Sequence, residues 1–138
     1  MVVSGSLDSA TGTGSIVLGG VSNNASGGYA SVLGGSNNAA SQTYSSVLGG
    51  SSNSASGEYA SVLSGQMNSS SGTYSLVAAG DTQRAIGSEA AVFGGSNNQA
   101  SGVASAILGG AMNTSTGQVS SIAGGAGITL SGFGTHSP

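Results

Sequence analysis

The sequence predicts an all-β repeat protein, a parallel β-solenoid (β-roll) in which each coil takes 15 residues. Three observations support this: a glycine pair that recurs at a constant interval, a fixed order of residue types between the pairs, and a composition unlike that of a globular domain. A fixed period of this kind is the sequence signature of a repeat architecture. Gly-Gly or a close variant recurs every 15 residues, at 19–20, 34–35, 49–50, 64–65, 79–80, 94–95, 109–110 and 124–125.

The composition explains why repetition, rather than a conventional core, must order this chain. Charged residues make up 4% of the 138 residues and glycine contributes 27, whereas typical globular domains are about 25% charged. Chains rich in glycine and serine often stay disordered, but here the apolar residues occupy fixed places in the period. The absence of cysteine excludes disulfides and thiolate metal sites. A single basic residue and a net charge of −3 argue against nucleic-acid binding.

The length of the period selects the type of repeat. Fifteen residues are too few for the common helical repeats, several of which need roughly 33 residues or more, but they suit one coil with two short strands and two turns. We expect Tyr29 to Leu33 to form the stronger strand and Ser36 to Ser41 a second, polar strand. Gly34-Gly35 would supply a positive φ at one corner, and Gly27 would mark the other.

Identical residues in successive coils predict ladders of side chains. Stacked coils place equivalent residues about 4.8 Å apart, so we expect asparagine amides to hydrogen-bond along their column, as they do in cross-β structures. For the tyrosines we favour packing at a subunit boundary, with sugar binding as the alternative. The predicted ladders contain Asn23, Asn38, Asn53, Asn68, Asn98 and Asn113, with Gln83 as the single amide substitute, and Tyr29, Tyr44, Tyr59 and Tyr74.

Two adjacent apolar columns predict self-association. Successive strand residues point to opposite faces, so only one residue of the Val32-Leu33 pair can fill the interior of a coil. The other then forms an apolar stripe along the rod, which would be an aggregation hazard if it stayed exposed. We therefore infer a homo-oligomer. The predicted core and oligomer seam contain Val32, Leu33, Val47, Leu48, Val62, Leu63, Val92, Phe93, Ile107 and Leu108.

The repeat resembles the head repeats of trimeric autotransporter adhesins, the YadA-like type. Ser31-Val32-Leu33-Gly34 is similar to that family's S-x-A-I-G signature, and Ala25-Ser26-Gly27 to its A-x-G signature. Similar 15-residue arrays occur in phage and viral fibre proteins. The resemblance covers about residues 8–125 and implies a left-handed β-roll that assembles as a homotrimer. The chain departs from the family pattern in the extra residue per coil and in the lack of a coiled-coil stalk.

The repeat is least regular in one coil and towards the end of the sequence. Residues 76–90 hold Asp81, Arg84 and Glu89, three of the five charged residues. These three are either a recognition patch or part of a surface ion pair of Arg84 with Asp81, Glu58 or Glu89, which would contribute under about 1 kcal/mol.

We divide the chain into a repeat domain of about eight coils, residues 1–125, and a degenerate coil, residues 126–138. The second segment would act as a cap or junction, because an open solenoid end exposes a strand edge. Within it, Phe133 would plug the end of the rod.

Nothing in the sequence predicts catalysis. The four carboxylates, at Asp8, Glu58, Asp81 and Glu89, are scattered along the chain, and no histidine-carboxylate or metal-ligand cluster accompanies them. We therefore expect neither enzymatic activity nor a cofactor or metal. No apolar run is long enough to insert into a membrane.

The expected function is the head or shaft of an extracellular adhesin, or of a phage or viral fibre, displayed on a cell surface or virion. Its partners would be further copies of itself and a host surface protein or glycan. One alternative is a filament subunit that stacks end to end through residues 1–18 and 126–138. A minor alternative is an ice-binding solenoid, which the absence of regular Thr-x-Thr rows disfavours.

Overall fold

A computed structural model describes residues 1–138 and shows a parallel β-solenoid of about nine coils with no helix. The predicted all-β solenoid is therefore confirmed, together with its 15-residue period. Each paired strand residue lies opposite the residue 15 positions away, as Ser31 does with Ser46 and Val32 with Val47. The register continues through every coil because no repeat gains or loses a residue.

Each coil contributes one two-residue strand to each of two nine-stranded parallel sheets. The alanine sheet, named for the small residue that it buries, contains β1 (Ser9–Ala10), β3 (Asn24–Ala25), β5 (Ala39–Ala40), β7 (Ser54–Ala55), β9 (Ser69–Ser70), β11 (Arg84–Ala85), β13 (Gln99–Ala100), β15 (Thr114–Ser115) and β17 (Thr129–Leu130). The valine sheet contains β2 (Ile16–Val17), β4 (Ser31–Val32), β6 (Ser46–Val47), β8 (Ser61–Val62), β10 (Leu76–Val77), β12 (Ala91–Val92), β14 (Ala106–Ile107), β16 (Ser121–Ile122) and β18 (His136–Ser137).

The core is a narrow column between the two sheets. The valine sheet contributes one fully buried branched residue per coil from Val17 to Ile122, and the alanine sheet faces it with alanine or serine. Pairing a large residue with a small one fills the thin interior without voids. The buried apolar cluster consists of Val17, Ala25, Ala30, Val32, Ala40, Val47, Ala55, Ala60, Val62, Val77, Ala85, Ala90, Val92, Ala100, Ile107 and Ile122.

The coils differ from the expected two-strand plan. A third parallel ladder joins single residues of successive coils, for example Ser36 to Ser51. The predicted strand from Ser36 to Ser41 is therefore wrong, since only Ala39–Ala40 is a strand. The predicted strand from Tyr29 to Leu33 is also too long, because the strand covers Ser31–Val32 alone. A 15-residue coil must turn repeatedly to close its circuit, which leaves room only for short strands.

The turns depend on left-handed backbone at both ends of the coil. Gly35 has a φ of 89°, and a Cβ atom there would lie 2.1 Å from the carbonyl oxygen of Gly50. Asn37 and Tyr44 also adopt positive φ values, of 55° and 58°. Tyrosine thus lies in the turn and not in the strand, a conformation that costs about 1–2 kcal/mol for a residue with a side chain.

Residues 126–138 continue the solenoid as its last coil. Its β17 pairs with β15, and β18 pairs with β16, in the same register as the preceding coils. The expectation that Phe133 plugs the end of the rod is wrong, because 76% of its surface is exposed. It occupies the outward turn position that Gly28, Thr43 and Glu58 hold in earlier coils.

Candidate interaction surfaces

An exposed row of large apolar side chains runs along the outer face of the valine sheet. We call it the leucine row; it contains Leu18, Leu33, Leu48, Leu63, Phe93 and Leu108. Each of these residues directly follows a buried valine or isoleucine and is 38–56% exposed. Ala78 interrupts the row at one coil. Of the predicted core and seam residues, Val32, Val47, Val62, Val92 and Ile107 therefore line the interior, whereas the leucine row faces outward.

The asparagine column forms an internal chain of hydrogen bonds that we call the amide relay. Each amide oxygen accepts the backbone N–H of the next column member, as Asn38 Oδ1 does from Asn53 at 3.0 Å. Each asparagine Nδ2 donates to two backbone carbonyls, in Asn53 those of Gly49 and Gly65 at 2.9 Å. The expectation that the amides bond to one another is thus wrong, since backbone groups take up both N–H donors of each asparagine amide and occupy its oxygen.

The relay is buried and has a defined start and end within the chain. Its members are Asn23, Asn38, Asn53, Asn68, Gln83, Asn98 and Asn113, each at most 1% exposed. A carboxylate oxygen of Asp8 accepts the first backbone N–H, from Asn23, at 2.7 Å. Ile128 donates the last one, to Asn113 Oδ1 at 2.9 Å, and has no side-chain acceptor of its own. The relay thus links successive coils near the glycine turns, which identifies it as a structural element.

Gln83 is the weak position of the relay. Its oxygen still accepts the N–H of Asn98 at 3.0 Å, but its longer side chain directs Nε2 to the carbonyl of Asp81 at 3.2 Å. An asparagine at this position would instead donate from Nδ2 to the carbonyls of the residues four before it and 12 after it, which are Ala79 and Gly95.

Replacing Gln83 with Asn is expected to stabilise the protein by about 1 kcal/mol, because two amide-carbonyl bonds replace one of poorer geometry. Urea unfolding at a fixed protein concentration measures the change. The reciprocal variant Asn98→Gln, in a coil that has both bonds, should lose a similar amount. Equal stabilities for Gln83→Asn and the parent would show that the second carbonyl bond contributes nothing.

The four tyrosines form a continuous stack at one turn of the coil. Ring centroids are 5.2 Å apart for Tyr29 and Tyr44, 5.0 Å for Tyr44 and Tyr59, and 4.8 Å for Tyr59 and Tyr74, with interplanar angles of 8–13°. The inner rings therefore have both faces covered, and their exposed parts are edges and hydroxyl groups. Flat stacking of a sugar on a ring face is closed to these inner rings, so the geometry favours contacts through the phenol edge.

The pKa of Tyr59 is raised above its ordinary value of 10.0 because neighbouring protein atoms displace water, and because Tyr74, Glu58 and Tyr44 oppose a negative charge there. The folded state therefore holds this proton more tightly than the unfolded state does. This contribution to stability is complete below about pH 10 and is lost as the pH rises further. We expect Tyr59→Phe to lose less unfolding free energy than the parent between about pH 9 and pH 11. Parallel losses in both proteins would contradict this expectation.

The charged residues of the irregular coil lie on three different segments. Asp81 is in the ladder of single-residue bridges, Arg84 is on β11, and Glu89 occupies the turn that follows the last tyrosine of the stack. All three side chains are exposed. Asp81 accepts a hydrogen bond from the Thr82 hydroxyl at 3.2 Å, whereas Arg84 forms no ion pair. The expected ion pair of Arg84 is therefore wrong, and its guanidinium group faces solvent.

The outer face of the alanine sheet was not singled out from the sequence. The residues that flank each buried alanine or serine point outward and form two rows, which we call together the hydroxyl face. The sequence signal for this face is the alternation of small polar residues with a small apolar one, since a period of two residues is typical of a strand with one buried side. The rows contain Ser9, Asn24, Ala39, Ser54, Ser69, Arg84, Gln99, Thr114 and Thr129, and Thr11, Ser26, Ser41, Ser56, Ser71, Ile86, Ser101, Thr116 and Ser131.

The surface has no pocket that would enclose a small molecule. No group of three or more histidine, cysteine, aspartate or glutamate residues is placed to hold a metal ion. No helix that could cross a membrane is present. The candidate sites of this protein are therefore its long outer faces.

A scan against protein-family models and a search of curated proteins found no match to this chain. The resemblance to adhesin head repeats thus rests on the repeat residues, such as Ser31-Val32-Leu33-Gly34 and Ala25-Ser26-Gly27.

Proposed function

We propose that this protein is a non-enzymatic fibre module, a homotrimeric β-roll that forms the rigid head or shaft of a surface adhesin or of a phage or viral fibre. The observation that carries the proposal is the leucine row on the outer face of the valine sheet. An exposed row of large apolar side chains that extends over most coils marks an interaction site. A second copy of the same row is its natural partner, because a repeat presents the same side chain at the same spacing along the whole contact.

Three chains around one axis would bury three leucine rows against one another. The number three comes from the resemblance to trimeric autotransporter heads. At about 4.8 Å per coil the rod would be roughly 40 Å long, and strand pairing along its whole length would keep it straight. The hydroxyl face lies on the other sheet, so it would stay exposed in three copies. The tyrosine stack lies in the turn before the valine sheet, where packing at a subunit boundary stays a prediction. Weak contacts of each copy with a repetitive target would then add up.

The end-to-end filament has less support from the residues at the two ends. In a head-to-tail joint, Asp8 of one copy would take the position after Ile128 of its neighbour in the asparagine column. The backbone N–H of Asp8 would then need a side-chain acceptor from Ile128. Isoleucine offers no amide oxygen, so the relay that links the other coils, as in Asn38 to Asn53, would be broken there. A joint without this bond would rely on backbone pairing alone.

Light scattering across a hundredfold dilution tests the proposal. A mass of three times the 12.8 kDa chain that is independent of concentration is the expected result. A stable monomer would overturn the proposal, because the leucine row would then be a free surface. Mass that grows with concentration would favour the filament instead. Adhesion is tested separately, by retention of beads coated with the full chain on glycan or host-cell surfaces.

A further inference from the structure

The hydroxyl face of the alanine sheet has a regular geometry in two directions. Successive coils pair in register, so Ser54 lies opposite Ser69 and Ala55 opposite Ser70, which sets a spacing of about 4.8 Å along the rod. Within one strand the two outward residues are two positions apart, or about 6.6 Å. Coils 4 and 5 thus present Ser54, Ser56, Ser69 and Ser71 as a rectangle of hydroxyl groups.

The two rows are level because the residue between them is uniformly small. Ala25, Ala40, Ala55, Ser70 and Ala85 are fully buried beneath the face, and the same holds for the next two coils. An inward residue of constant size keeps each strand at the same height above the core. Leu130 in the last coil is the exception.

Most hydroxyl groups of this face are free to bind an external partner; Thr116, which donates to the carbonyl of Leu130 at 3.3 Å, and Ser101, whose Oγ is buried, are the exceptions. Those of Ser54, Ser56, Ser69 and Ser71 form no hydrogen bond within the protein. Two pairs of serines in other rows are bonded along their own row, Ser46 to Ser61 at 3.0 Å and Ser36 to Ser51 at 3.3 Å. A hydroxyl both donates and accepts, so the face offers unsatisfied groups of both kinds, with the complete rectangle in coils 4 and 5.

The partner of this face should be uncharged and periodic. Arg84 is its single charged residue. One hydroxyl contact is weak, and many such contacts add only when the partner repeats at the same spacing. Water oxygens in an ice crystal form a neutral lattice in which every group donates and accepts hydrogen bonds. We propose that the hydroxyl face binds ice, an activity beyond the fibre function and independent of the trimer.

Asn24, Ala39 and Gln99 each leave one row without a hydroxyl in their coil, and one coil in the middle of the rod lacks both hydroxyls. Arg84 and Ile86 replace both outward hydroxyls of that coil, whereas Thr114 and Thr116 form a Thr-x-Thr pair two coils later. The interruption divides the face into two shorter segments. Restoring hydroxyls at this coil should therefore join the two segments and strengthen ice binding.

Thermal hysteresis and the shape of single ice crystals in solutions of the full chain test the proposal. The parent is expected to show hysteresis that rises with concentration, together with faceted crystals. Ser56→Lys with Ser71→Lys should abolish most of the hysteresis, because long charged side chains hold the face away from the crystal. Arg84→Ser with Ile86→Thr should increase it. The matched control is Gln66→Lys with Gln118→Lys, which adds the same charge at exposed positions outside the hydroxyl face and should leave hysteresis unchanged.

Circular dichroism and light scattering on each variant separate loss of binding from loss of the fold or of the oligomer. Absence of hysteresis and of ice shaping in the parent would overturn the proposal, as would equal losses in the two lysine pairs. Retention on crystalline cellulose or chitin without any effect on ice would also overturn it, in favour of a carbohydrate lattice. None of these results depends on the number of chains in the oligomer.

Discussion

Replacing Leu48 with Glu is expected to convert the proposed trimer into folded monomers, so that the mass from light scattering falls to one third. Leu48 is 43% exposed on the single chain and, in the proposed trimer, would lie in an apolar seam shared by three copies. Three carboxylates would be brought together there without a cationic partner. Desolvation of an unpaired charge costs several kcal/mol for each ion, which exceeds what one leucine contributes by burial, about 1.5–3 kcal/mol.

The matched control for this experiment is Gln118→Glu. Gln118 is exposed in the turn before β16, with uncharged residues at the same position of both neighbouring coils, so the variant carries one more negative charge away from the leucine row. It should remain a trimer. Circular dichroism should be the same for both variants, because neither side chain is part of the core. A trimer that survives Leu48→Glu would place the oligomer contact elsewhere than on the leucine row.

Replacing Asn53 with Ala is expected to destabilise the fold by about 2–4 kcal/mol, since several buried polar groups lose their partners at once. The Asn53 side chain accepts the N–H of Asn68 at 3.0 Å and donates to the carbonyls of Gly49 and Gly65 at 2.9 Å. Alanine leaves all three groups without that partner. Urea unfolding at one fixed protein concentration measures the loss, so that oligomer formation contributes equally to both proteins.

Two further variants show whether the relay itself is responsible. Asn24→Ala removes the neighbouring amide, which is exposed on β3, and should change stability by less than about 0.5 kcal/mol. Asn53→Asp keeps the acceptor but removes the donor and buries a charge, so we expect it to be at least as harmful as alanine. If Asn24→Ala and Asn53→Ala were equally destabilising, the loss would reflect strand propensity and not the buried hydrogen bonds.

The strand and turn boundaries show where reasoning from the sequence alone was wrong. Aromatic residues favour strands, which predicts Tyr29 in a strand, yet its φ of 56° places it in a turn. The same position keeps a positive φ where it holds Glu89, Ala104 or Val119, so the turn follows from the closure of the coil and not from the tyrosine ring. Propensity describes a residue in isolation, whereas the closure of the coil depends on the whole repeat.

The sequence by itself determined the period and the parallel register. A constant 15-residue interval allows only one stacking register. It also determined that Val32 and Leu33 could not both be inside, since adjacent strand residues face opposite sides.

Only the tertiary structure decided which column faces outward and what each polar side chain binds. Val32 is buried and Leu33 exposed, although either residue is apolar enough for the core. The Asn38 amide bonds to backbone groups of adjacent coils and not to another amide, because the glycine turns bring their carbonyls within its reach. These choices depend on how closely successive coils approach. That distance is a property of the stacked solenoid, and no single repeat contains it.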